Sequence, residues 1–166
     1  MKPWSSTTGG LHCTRWSASA RGFRTISRHP AHGSGRSREQ LKRLGPYERN
    51  AETLGPVFSR HGYVFLYLFR HGVGTSSDQG ANAFDLMNKE SNEHGQEVRN
   101  TLQLRLLENR DMDDALSGLK FLRSLPYVDA RNIALVGHSF GGSLTVLLAE
   151  REPNLQAVVI FSRCRI

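Results

Sequence analysis

The chain has 166 residues, enough for one domain with a sizeable core and too few for two. Two cysteines, Cys13 and Cys164, stand near opposite ends without metal-ligand spacing, so neither a disulfide framework nor a zinc site is indicated. The formal charge is +7, but much of the excess falls in residues 1–46, where Glu39 is the only acid, and it describes that stretch rather than a folded nucleic-acid face.

Residues 1–46 are rich in Ser, Thr, Arg and Gly and lack a sustained helical or strand period, which predicts a disordered leader. No apolar h-region of a secretory signal is present, and no apolar run approaches the length of a membrane span. The cysteine usage fits a reducing, cytoplasmic compartment. An Arg- and Ser-rich, acid-poor leader also resembles an organelle transit peptide, which is the alternative. Within it, Thr25–Ala31 carries two basic side chains and a proline and reads as a poor strand.

Beyond the leader, residues 47–166 read as one domain. Leu54, Val57 and Phe58 predict one face of a short helix, with Gly62 as its C-terminal cap. Tyr63–Phe69 is an unbroken apolar run, the pattern of a parallel strand covered on both faces. A glycine-bearing loop, Arg70–Ser76, ends it. Residues 77–95 are polar, with a helical piece expected near Phe84–Met87. From Gln96 to Leu125 a long helical pattern follows, broken near Asn109. In its second half Met112, Ala115, Leu116, Leu119, Leu122 and Leu125 repeat at three- and four-residue spacing. Pro126 closes that helix, and Asp129 suits a turn. A strand at Ile133–Val136, a helix to about Arg151 and a strand at Ala157–Phe161 complete an α/β alternation and a mostly parallel sheet.

The most specific signal is Gly137-His138-Ser139-Phe140-Gly141. Preceded by a buried strand and followed by a helix, it has the context of a nucleophile elbow. Ser139 must then adopt a strained conformation that lifts its hydroxyl clear of the sheet, and its neighbours two before and two after must be small. A phosphate-binding loop would need Lys-Ser or Lys-Thr after its last glycine, and a dinucleotide fingerprint would need glycine in place of Ser139.

Three segments resemble the α/β-hydrolases, in the branch of prolyl-oligopeptidase-type peptidases and dienelactone-hydrolase-like enzymes. They are His61-Gly62-Tyr63-Val64 with Arg70–Ser76, Leu125–Asp129 with Arg131-Asn132-Ile133, and Gly137–Gly142. The resemblance covers about residues 53–162 and implies a partial α/β-hydrolase fold, truncated after the strand that follows the elbow. It implies a serine hydrolase, esterase or peptidase, with Ser139 as nucleophile through an acyl-enzyme and the Phe140 N–H as oxyanion donor. A small ester or peptide is the implied substrate, with no cofactor, metal, nucleic-acid partner or membrane.

The family order is Ser, then acid, then His. After Ser139 this chain has only Glu150 and Glu152 as acids and no histidine, so little turnover is expected of the chain itself. A non-catalytic, hydrolase-like remnant serving as a binding or scaffold protein is the alternative. His71 is the one histidine with a claim as a substitute base, because its loop leaves the same carboxyl edge of the sheet as the elbow. His138 adjoins Ser139 and points the other way. His32-Gly33-Ser34 and Gly45-Pro46-Tyr47 are two candidate sources of a second oxyanion donor. In the family, the strand that leads to that donor lies between the Tyr63–Phe69 strand and the elbow strand. With Thr25–Ala31 a poor strand, a gap is expected there.

Overall fold

The computed structural model describes residues 4–8, 11–15, 24–29 and 48–163. Six strands form one sheet: β1 (Trp4–Thr8), β2 (Leu11–Arg15), β3 (Arg24–His29), β4 (Tyr63–Leu68), β5 (Ile133–Ser139) and β6 (Ala157–Arg163). Their spatial order is β1-β2-β4-β3-β5-β6. The pairs among β4, β3, β5 and β6 are parallel, and β1 and β2 add antiparallel strands beside β4.

The expected gap is therefore filled. β3 pairs on both sides, with Ile26 opposite Phe65 of β4 and Ala134 of β5. Three strands also lie within the stretch read as disordered, and the sheet crosses the boundary drawn at residue 46. The reason is physical. Strand preference depends strongly on context, and a segment between two strands satisfies its backbone donors and acceptors along both edges whatever its side-chain pattern.

The alternation of β4 separates the two faces of the core. Leu66 packs with Leu119, Leu122 and Ile133, and Leu68 with Met112, Leu135, Phe140 and Leu144. Phe65, Tyr67 and Phe69 point the opposite way onto Ala51, Leu54 and Phe58 of α1 (Glu48–Arg60). Gly62 ends that helix at φ +78°, as expected of its cap. Val57, assigned to the apolar face from sequence, is 49% exposed instead.

Beyond β4, a short 3-10 turn (Gly74–Ser76) leads to α2 (Ala83–His94). This helix is longer than its sequence suggested because the Asn82 side chain caps it, accepting from Phe84 N at 2.8 Å and Asp85 N at 3.3 Å. The expected break at Asn109 separates α3 (Gln96–Glu108) from α4 (Arg110–Ser124). The predicted stripe of α4 meets the sheet, with Met112, Ala115, Leu119 and Leu122 buried. Burial of Met112, Leu119 and Leu122 stabilises the fold by roughly 1.5–3 kcal/mol each. After β5 comes α5 (Phe140–Arg151), on the same face as α4. β6 is one of the two edge strands, and its Val158, Val159, Ile160 and Phe161 are 39–55% exposed.

Candidate active site

At the junction of β5 and α5 the chain turns within one residue. Ser139 has φ +52° and ψ −119°, and it is the one non-glycine residue with positive φ among the described residues. The β5–β6 pairing shifts register between His138 and Ser139, where the backbone leaves the sheet. Ser139 is half-buried rather than covered. Its side chain makes no capping bond to α5, so the hydroxyl is not engaged by the helix that it precedes.

The glycine before the turn is required by space. A Cβ on Gly137 would lie 2.3 Å from both the Gly141 carbonyl oxygen and Thr145 Oγ1. That crowding brings the first turn of α5 against the end of β5. The leading backbone N–H groups of α5 have no partner within the helix, and their dipoles favour negative charge at its start. Phe140, fully buried, is the first residue of that turn.

The positive φ of Ser139 gives a first expected result. Strain of this kind costs on the order of 1–3 kcal/mol in a non-glycine residue and is relieved in glycine. Ser139→Gly is expected to unfold at higher urea than Ser139→Ala, by about 1 kcal/mol. Equal midpoints would show that the turn stores no strain.

No hydrogen bond joins His71 to Ser139, and β3 lies between the strands that precede them. Instead His71 Nδ1 lies 2.5 Å from Asp114 Oδ2 on α4. The pair borders a cavity of about 130 Å³ lined also by Leu68, Phe69, Ser76 and Ser117. Burial pushes the Asp114 carboxyl above the ordinary carboxylate range, against the opposing pull of the His71 hydrogen bond. The beginning of the same loop does reach the elbow. Arg70 places its guanidinium carbon 4.3 Å from the centre of the Phe140 ring, with Nη1 3.4 Å from Oδ2 of the fully buried Asp111.

The remaining candidates take structural places. Asp129 accepts from Arg131 N at 3.0 Å and Asn132 Nδ2 at 2.7 Å, and the Arg131 bond leads in holding its carboxyl below the usual range. It is the turn former expected. Glu152 pairs with Arg123 at 2.8 Å at the far end of α5, and Glu150 is exposed. His138 is half-buried. His32-Gly33-Ser34 and Gly45-Pro46-Tyr47 lie outside the described residues. Among the described residues no group of three His, Cys, Asp or Glu could hold a metal, and no helix is long and apolar enough to cross a membrane.

A mostly parallel α/β sheet in this strand order, with a half-exposed, strained serine between a central strand and its helix, has the architecture of the α/β-hydrolases. A sequence model of the prolyl oligopeptidase family matches residues 67–163, more than half of the chain, and the chain belongs to that family. Solved structures agree on the fold. The α/β-hydrolase GrgF from Penicillium sp. sh18 is 20% identical with a TM-score of 0.54, the match covering 98% of this chain and 45% of that one. MGS-M1, an α/β-hydrolase from a deep-sea metagenome, is 18% identical with a TM-score of 0.56, over 100% and 58% of the two chains. A candidate acetyl xylan esterase from Bacteroides fragilis is 18% identical with a TM-score of 0.58, over 89% and 39%. The chain thus spans about half the length of the solved structures it resembles. Comparison with curated proteins found no match.

Proposed function

We propose that this chain carries the nucleophile half of a serine hydrolase acting on a small ester or peptide. Ser139 attacks the carbonyl carbon and gives its proton to a base, which passes it to the alcohol or amine that leaves as the scissile bond breaks; the acyl group stays on Oγ until water releases it as the acid. The Phe140 N–H donates to the oxyanion as it develops; removing one such donor typically costs about 3–4 kcal/mol of transition-state stabilisation. The single observation that carries this reading is the backbone of Ser139, strained and half-exposed where a Gly137 side chain would collide with α5.

The base is the open position. A serine hydroxyl needs an imidazole, and the imidazole a carboxylate. The Asp114–His71 pair has that second contact, but it lines a cavity of its own and makes no hydrogen bond to Ser139. Glu152 is tied to Arg123, and no histidine follows Ser139. These facts favour slow or absent turnover by the chain alone. A second reading is a hydrolase-like scaffold that binds without catalysing.

A fluorophosphonate probe separates the two. The hydrolase reading expects one covalent label on the folded chain, located at Ser139 by peptide mass and lost in Ser139→Ala. A folded chain that takes no label, or keeps it in Ser139→Ala, would refute the nucleophile and leave the scaffold.

A further inference from the structure

Arg70 brings a charge to a place where folding alone does not call for one. Its side chain is 11% exposed, its ionic partner Asp111 is fully buried, and its guanidinium lies over the ring of Phe140 at the start of α5. The start of a helix carries partial positive charge and prefers an anion to a cation. A buried ion pair is, moreover, often no more stabilising than apolar residues of the same volume. The arrangement needs a reason beyond packing, and the residue it grips supplies one.

Phe140 is the residue whose backbone N–H would donate to the oxyanion. Its peptide follows a serine held at φ +52°, so the direction of that N–H depends on how firmly the next residue is fixed. The ring of Phe140 is packed among Leu68, Met112, Leu135 and Leu144 and meets the Arg70 guanidinium at 4.3 Å, a contact of cation–π type. Asp111 in turn holds the guanidinium from α4. We infer that Arg70 is a positioning residue for the reaction: anchored by Asp111, it locks Phe140 and so aims the N–H at the oxyanion. The inference rests on Ser139 being the nucleophile.

The test measures kinact and KI for fluorophosphonate labelling of Ser139 in the full chain. Arg70→Met combined with Asp111→Leu replaces the pair by apolar side chains, while Arg110, the other cation beside Asp111, keeps its bond to the Ala81 carbonyl. It is expected to lower kinact about tenfold or more at unchanged KI, since small displacements at a reacting centre cost up to about 100-fold. Arg70→Lys keeps a cation over the ring and is expected to stay within about threefold of the parent. Phe140→Leu retains the N–H but removes the ring, and should match the double variant. It also serves as the test if the double variant does not fold. A double variant or Phe140→Leu that folds and labels at the parental rate overturns the inference, whatever its melting temperature. Absence of labelling in the parent refutes the nucleophile instead, so the two failures are distinguishable.

Discussion

Gly137→Ala is expected to lose at least about 3 kcal/mol of folding stability, a large share of the roughly 5–15 kcal/mol that domains of this size possess. The added methyl would lie 2.3 Å from the Gly141 carbonyl oxygen, 2.3 Å from Thr145 Oγ1 and 2.7 Å from Gly141 C. Thr145 is buried, and Gly141 is backbone in the first turn of α5, so neither neighbour withdraws cheaply. Relief requires α5 to move away from β5, which opens the contacts of Leu144 and Leu148 with Leu135. Gly62→Ala is the control. Gly62 also has positive φ, but nothing lies within 4 Å of its Cβ position, so its cost is backbone strain alone, about 1–2 kcal/mol. Urea unfolding of both variants should therefore separate collision from strain. Gly137→Ala with a midpoint equal to that of Gly62→Ala would mean that α5 sits further from β5 than described.

The elbow is legible in the sequence because its requirements are local. Glycines two before and two after Ser139, between an apolar strand and a helix, specify the elbow locally, because every constraint involved lies within a few residues. The break at Asn109 and the stripe of α4 are legible for the same reason. β3 was not, since Arg24–His29 lacks the alternation of a half-buried strand and owes its place to pairing with β4 and β5, the latter more than a hundred residues away in sequence. The His71–Asp114 contact joins residues 43 apart, which no local pattern encodes. Asp111 left a signal that was not used. It lies four residues before Ala115, in line with the buried positions of α4, so an acid there calls for a cationic partner from another element.

That partner sets the second large effect. Asp111→Ala is expected to destabilise the chain by about 3–5 kcal/mol, because it leaves a largely buried guanidinium without its counter-charge. Arg70 is 11% exposed and Asp111 fully buried; Arg110 Nε stands 3.5 Å from the other carboxylate oxygen, which accepts no hydrogen bond. Arg110 keeps a second contact in the variant, donating to the Ala81 carbonyl at 3.1 Å, so the penalty falls mainly on Arg70. Removing both charges reverses the logic: Arg70→Met with Asp111→Leu should recover most of the lost stability, as apolar replacements of buried pairs often do. Chemical denaturation of the parent, the single and the double variant tests this directly. A single variant within about 1 kcal/mol of the parent, or a double variant no better than the single, would show that the pair is not the buried unit described. If the double variant is stable yet slow to label, the pair is retained for what it does to Phe140, since the fold stands without it.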